Sequence, residues 1–153
     1  PRQHMRKMKV GKVTFTEAYK AVNEYRQKFP QKAVTFYAQN YPAMGWAVFM
    51  AGGSCPVIPC TDKAFLKDAA AMEVEETNTD EYKKMVKSDI GSIIYSKSGT
   101  EIPVQLSSGK YVLKYIHPAS GKIETINKSL KINGLYNLKV PDKKEGIYWF
   151  HKL

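Results

Sequence analysis

The strongest constraint on this chain is a change of period near residue 88. Upstream of it, helical and extended signals alternate. From Ile90 onward the apolar residues recur at every second position, with a turn about every ten residues. "GSIIYSK" is a strand, and in Ile102, Val104 and Leu106, in Tyr111, Leu113 and Tyr115, and in Tyr136, Leu138 and Val140 one face of each strand is apolar. The glycine-containing corners Ser98-Gly99, Ser107 to Gly109, Pro118 to Gly121, Asn133-Gly134 and Pro141 to Gly146 separate the strands. Ile123 and Thr125, then Leu130 and Ile132, and finally "IYWFHKL" complete six or seven short strands. Such a series buries its alternating faces between two sheets, so residues 89–153 predict a small antiparallel β-sandwich.

Before residue 76 the pattern is different. Thr14 or Thr16 can cap a helix whose stripe is Ala18, Val22, Tyr25 and Phe29, closed by Pro30. Ala33 to Tyr37 is a continuous apolar and β-branched run, the kind of strand that a parallel sheet buries on both faces. "AMGWAVFMAGG" is apolar nearly all round and ends in two glycines, as a deeply packed helix with a glycine cap does. "SCPVIPC" is extended, and Thr61-Asp62 can cap a helix through "KAFLKDAAAMEV". The order helix, strand, helix, strand, helix implies right-handed βαβ units. Two parallel strands cannot cover their own faces and edges. Residues 1–75 are therefore expected to be the tail of a larger α/β domain, with the rest of that domain as a partner. Residues 76–88, "ETNTDEYKKMVKS", are polar and read as a linker with one helical turn around Glu81 to Val86. The fold class is thus an α+β chain in two parts, α/β units followed by an antiparallel sandwich.

The net charge of +10 raises the question of nucleic acid. Residues 1–88 carry 14 basic and 9 acidic side chains, and residues 89–153 carry 10 and 5, so each part is +5. The excess is spread out. Its one block of a single sign, Arg2, Arg6, Lys7, Lys9 and Lys12, has no nucleic-acid motif beside it, and it reads as a solvated basic surface. No apolar run is long enough to span a membrane. No apolar stretch follows the basic "PRQHMRKMK", so any export signal is expected outside this segment.

Cys55 and Cys60 are the only cysteines, and a pair without histidine partners does not make a tetrahedral zinc site. They read as free buried thiols. A disulfide remains open in an oxidising compartment, although an extended step between them holds their Cα atoms beyond the bridging limit of about 7 Å. His4, His117 and His151 have no metal-ligand spacing, and His117 belongs to the hairpin corner at Pro118. The acidic run Glu73, Glu75, Glu76, Asp80 and Glu81 lacks calcium-loop spacing and reads as a solvated face. There is no phosphate loop, dinucleotide fingerprint or nucleophile elbow, so neither metal nor cofactor is expected. Trp46 and Trp149 are expected in core positions.

The segments "GSIIYSKSGTEIPVQLSSGKYVLKYIHPASGKI" and "VPDKKEGIYWFHKL" resemble the C-terminal sandwich, known by a collagen-binding label, that follows (β/α)8 barrels of glycoside hydrolases, including the apiosidase-like group. "YPAMGWAVFMAGGSCPVIP" is similar to the helix and strand that follow barrel strand seven in those proteins. The resemblance implies a partial TIM barrel. Strand seven would be Ala33 to Gln39, helix seven Tyr41 to Gly52, strand eight Ser54 to Ile58 and helix eight Asp62 to Val74. It also implies a secreted, periplasmic or cell-surface protein that acts on a polysaccharide or oligosaccharide, with the sandwich as an accessory domain.

Barrel enzymes carry their active sites at the C-terminal ends of the strands, which places Tyr37, Gln39, Asn40 and Tyr41 as sugar-binding residues. The competing reading packs the tyrosines in the barrel wall. Gln39 stands where related barrels commonly place a catalytic carboxylate, and an amide can only hydrogen-bond. No Glu or Asp occurs from Lys28 to Pro59. Three alternatives stay open: a different strand register, carboxylates outside this segment, or a non-catalytic parent. A carbohydrate- or matrix-binding module is the other functional class.

Overall fold

The computed structural model describes residues 13–36 and 42–153. Three helices come first: α1 (Phe15–Lys28), α2 (Pro42–Met50) and α3 (Lys63–Ala71). Eight strands follow: β1 (Glu73–Glu75), β2 (Tyr82–Lys87), β3 (Gly91–Ser96), β4 (Glu101–Gln105), β5 (Gly109–Ile116), β6 (Ile123–Ile132), β7 (Leu135–Lys139) and β8 (Gly146–Lys152). Six strands form one sheet in the order β1-β2-β3-β8-β5-β6, and β4 pairs with β7 in a second. Every pair is antiparallel.

The helix ends follow from local chemistry. Thr14 and Glu17 form a reciprocal capping box that opens α1. Asp62 caps α3 by accepting from the Phe65 amide at 2.8 Å. Helix α2 ends in a Schellman motif: Gly53 N–H donates to Val48 O at 2.8 Å and Gly52 N–H to Phe49 O at 2.9 Å. Gly52 takes the left-handed conformation that the motif requires, with φ +67°.

The large sheet has two buried faces. Ile93 and Tyr95 of β3, with Ile147 and Trp149 of β8, join the helix residues Val22, Trp46, Met50 and Phe65 in one core. Ile94, Tyr148 and Phe150 point the other way, into a second core with Ile102, Val104, Leu138 and Val140 around the β4–β7 pair. The alternation of strand side chains thus explains why β8 is apolar at consecutive positions: it is covered on both sides. Helices, six-stranded sheet and two-stranded sheet form three layers. The overall class is α+β with mostly antiparallel pairing, and the two facing sheets are compatible with a β-sandwich.

Five expectations need correction. The stretch Ser54 to Ile58 is not a strand, and neither are the described residues of the expected strand seven, 33–36. They meet through only two hydrogen bonds, from Ser54 N–H to Val34 O at 2.7 Å and from Val34 N–H to Ser54 Oγ at 3.3 Å. Pro56 and Pro59 remove ladder donors, Cys55 turns the chain with φ 53°, and no further strand lies alongside among the described residues. The helical turn expected around Glu81 to Val86 is instead strand β2, which places much of the expected linker inside the large sheet. The helix expected to reach Val74 ends at Ala71, and Val74 lies in β1. Cys55 is exposed rather than buried; Cys60 is buried, and both thiols are free.

Candidate functional site

The four residues expected to contact sugar, Tyr37, Gln39, Asn40 and Tyr41, lie outside the described residues, as do His4 and the basic block of Arg2, Arg6, Lys7, Lys9 and Lys12. The described residues that bracket the first group are Phe36, which packs on the helix-side core, and Pro42, which opens α2.

One polar cluster with a buried carboxylate sits where α3 meets β8. Asp68 is buried on α3, and its Oδ2 accepts from the indole N–H of Trp149 at 2.9 Å. The same oxygen lies 2.7 Å from His151 Nδ1. A carboxylate oxygen accepts, so Nδ1 is the donor in this pair. Trp149 is fully buried, with its ring edge-on to Phe65 at 5.4 Å. On the same sheet face the Lys114 ammonium lies 4.2 Å from the Trp149 ring centroid. The sequence signal for this cluster was weak. Asp68 sits inside an amphipathic helix, and only the fold brings it to residues more than 80 positions away.

A second cluster fixes the β5–β6 corner. His117 N–H donates to Lys122 O at 2.9 Å and Gly121 N–H to His117 O at 2.8 Å. Glu124 lies 3.0 Å from His117 Nε2. That hydrogen bond first, and then the charges of His117, Lys144 and Lys122, hold the Glu124 carboxyl below its ordinary range. The corner also docks on the helical layer. The Trp46 indole donates to Pro118 O at 2.8 Å, and a Cβ on Gly121 would come within 2.4 Å of Pro59 O.

The third cluster is a polar recess of about 300 Å3 between α1 and the β1–β2 loop. Lys83, buried, donates to Thr79 O at 2.6 Å and lies 3.4 Å from Asp80 Oδ1. Lys20 bonds Asp80 at 3.0 Å, and that contact chiefly keeps the Asp80 carboxyl below its usual range. Asn23 and Gln27 donate to Glu76 at 3.0 and 2.8 Å. The acidic run thus stays largely solvent-facing, while Glu76 and Asp80 tie α1 to the sheet. The Tyr19 hydroxyl has no hydrogen-bond partner among the described residues, and burial, then the Glu76 charge, pushes its pKa up to about 12.

No group of three or more His, Cys, Asp or Glu side chains among the described residues is placed to share a metal ion. None of the described helices is long and apolar enough to cross a membrane.

Residues 1–72 match the family model described as "Domain of unknown function (DUF6298)". None of the curated proteins compared matches the chain. Among solved structures, a glycoside hydrolase is similar with a TM-score of 0.39 and 15% identity, covering 52% of this chain and 19% of that one. A crystal structure of CapF with the inhibitor 3-isopropenyl-tropolone is similar with a TM-score of 0.23 and 11% identity, covering 90% of this chain and 44% of that one. The chain spans about a fifth of the length of that glycoside hydrolase. The apiosidase-like assignment has no counterpart among these matches.

Proposed function

We propose that this chain is the C-terminal portion of a larger, exported carbohydrate-active protein, in which the β layers act as a structural accessory to the helical part. Carbohydrate enters through the resemblance of the strand and turn series to glycoside-hydrolase accessory sandwiches. On this reading α2 and α3 are the last barrel helices, and the stretches around Val34 and Ser54, which are not strands in this chain, would take strand form only when the remaining barrel units pair with them. Strand order would be completed by the remaining units, and Tyr37, Gln39, Asn40 and Tyr41 would face the sugar.

The observation that favours an accessory over a free-standing binding module is the continuous core between helices and sheet. Trp149, Ile147, Ile93 and Tyr95 bury their side chains against α1, α2 and α3, so the centre of that sheet face is already occupied. A module that evolved to bind alone does not need to commit that face. Large aromatic and aliphatic side chains contribute about 1.5–3 kcal/mol each when buried, so the seam is a major part of the stability of both sides.

The test compares the full-length protein with a variant lacking residues 76–153, by melting and by release of reducing ends from a panel of polysaccharides. The expected result is sugar release by the full-length protein and loss of cooperative melting in the variant. A variant that melts normally and loses only glycan affinity makes the β part a binding module instead. Absence of both glycan binding and cleavage in the full-length protein overturns the carbohydrate reading.

A further inference from the structure

On the helix-facing side of the large sheet, the helices lie over β2, β3 and β8. At their corner, Ile116 and Ile123 join the helix-side core, and away from it the outer strands β5 and β6 leave a ledge on that side. Lys110 of β5 and Lys131 of β6 are direct cross-strand partners, and both are exposed. Like charges placed directly opposite each other destabilise a strand pair. Neither lysine forms an ion pair among the described residues, and the other residues contain no Asp or Glu. Lys114 follows on the same face about 13 Å along β5, its ammonium over Trp149, opposite the exposed Thr125. His151 is on the neighbouring strand, paired with Val112 between them, and is partly exposed.

We infer that this ledge binds an anionic polysaccharide, with carboxylate groups seated on the Lys110–Lys131 pair and near Lys114. An anion between the paired ammonium groups converts their mutual repulsion into two attractive contacts. The choice of polymer follows from what accompanies the charge. Single-stranded nucleic acid is held by exposed aromatic rings on which bases stack, and Trp149, the aromatic of this ledge, is fully buried beneath Lys114. A uronate chain needs only cations and hydrogen-bonding groups, which Thr125 and the lysines supply. The inference rests on the carbohydrate reading and narrows it to acidic glycans. The rival account is edge protection, because lysines on an outer strand such as β6 also deter strand-to-strand association.

The experiment measures binding of the full chain to polygalacturonate, neutral dextran and poly(U) by titration calorimetry at low and moderate salt. It is repeated with Lys110→Gln/Lys131→Gln and with the charge-retaining Lys131→Arg. The expected result is salt-sensitive binding of polygalacturonate alone, weakened on the order of tenfold in the double variant and kept in Lys131→Arg. Thermal melting of the double variant should match or exceed the parent, since a repulsion is removed. Binding of poly(U) as tightly as polygalacturonate overturns the inference. So does unchanged affinity in the double variant, and a double variant that only aggregates assigns the lysines to edge protection. Failure on polygalacturonate with binding of neutral glycans defeats the ledge alone; failure on every glycan defeats the carbohydrate reading with it.

Discussion

Replacing Asp68 by alanine tests the seam between α3 and β8 most directly. The substitution removes the acceptor of the Trp149 indole N–H and of His151 Nδ1 together. Trp149 is fully buried, so its N–H is left with no partner, which costs about 1–3 kcal/mol. The His151 contact is partly exposed and adds about 0.2–1 kcal/mol. The sum is about 1–4 kcal/mol, centred on about 2.5 kcal/mol, which lowers the melting temperature by about 5–10 °C in a chain of this length. Asp68→Asn retains an acceptor for the indole and should lose about 1 kcal/mol. Urea unfolding followed by far-ultraviolet circular dichroism gives both values. A cycle with Trp149→Phe isolates the pair: once the indole N–H is gone, removing Asp68 strands nothing, so the coupling should reach about 1 kcal/mol or more. A coupling below about 0.5 kcal/mol would show that Asp68 stabilises the seam by something other than this hydrogen bond.

Three further outcomes can be checked alongside it. Gly45→Ala would place a Cβ 1.7 Å from Val57 O, so α2 must move off the 57–58 backbone, and a loss of about 3 kcal/mol is expected in urea unfolding; a change under about 0.5 kcal/mol contradicts that packing. The Asp80 and Glu124 carboxyls are held below their ordinary values of 3.8 and 4.5, so their contribution is present above those values and is lost as pH falls through the lower folded-state pKa. Asp80→Asn and Glu124→Gln should therefore destabilise the chain near pH 6, with the difference from the parent shrinking as pH falls below the ordinary carboxyl range; parallel pH curves would exclude the mechanism. Iodoacetamide should label Cys55 in the native chain and Cys60 only after unfolding, because Cys60 is buried and burial raises its thiol pKa; equal labelling rates contradict the placement.

The strand series was legible because its information is local. Period-two alternation and glycine corners are properties of neighbouring residues, so β3 to β8 and the turns at Gly99, Gly121 and Gly134 follow from the sequence, each glycine at positive φ. The helix caps at Thr14, Asp62 and Gly52-Gly53 were legible for the same reason. Misreadings fell where tertiary partners decide. "YKKMVKS" is too charged to announce a strand, yet β2 accommodates Lys83 and Lys84 because oxygens wait for them: Thr79 O for Lys83, Pro103 O and Glu75 for Lys84. The Ser54 to Ile58 stretch looks like a strand by composition, but a strand is defined by its neighbours. Of the Asp68–Trp149–His151 cluster, only the core position of Trp149 was readable, since the three residues are brought together by the helix-to-sheet packing alone.

That packing also bears on how the two sequence regimes relate. A change of period ordinarily marks a boundary where few contacts cross. Here the change near residue 88 falls between β2 and β3, which pair over six registered positions from Tyr82–Ser96 to Lys87–Gly91. Met85 of β2 and Met72 after α3 share the helix-side core with Ile93 and Trp149. Gly91 at φ +153° lies so close to Phe150 O that a Cβ would meet it at 1.9 Å, so the first residue after the β2–β3 turn is held by the last strand. The shift from helical to strand periodicity therefore crosses a hydrogen-bonded sheet and a shared core. Cutting at residue 88 would expose the edge of β3 and the apolar face of β8 together, whereas a cut before β1 leaves the six-stranded sheet intact but uncovers Trp149 and strands its indole N–H without Asp68.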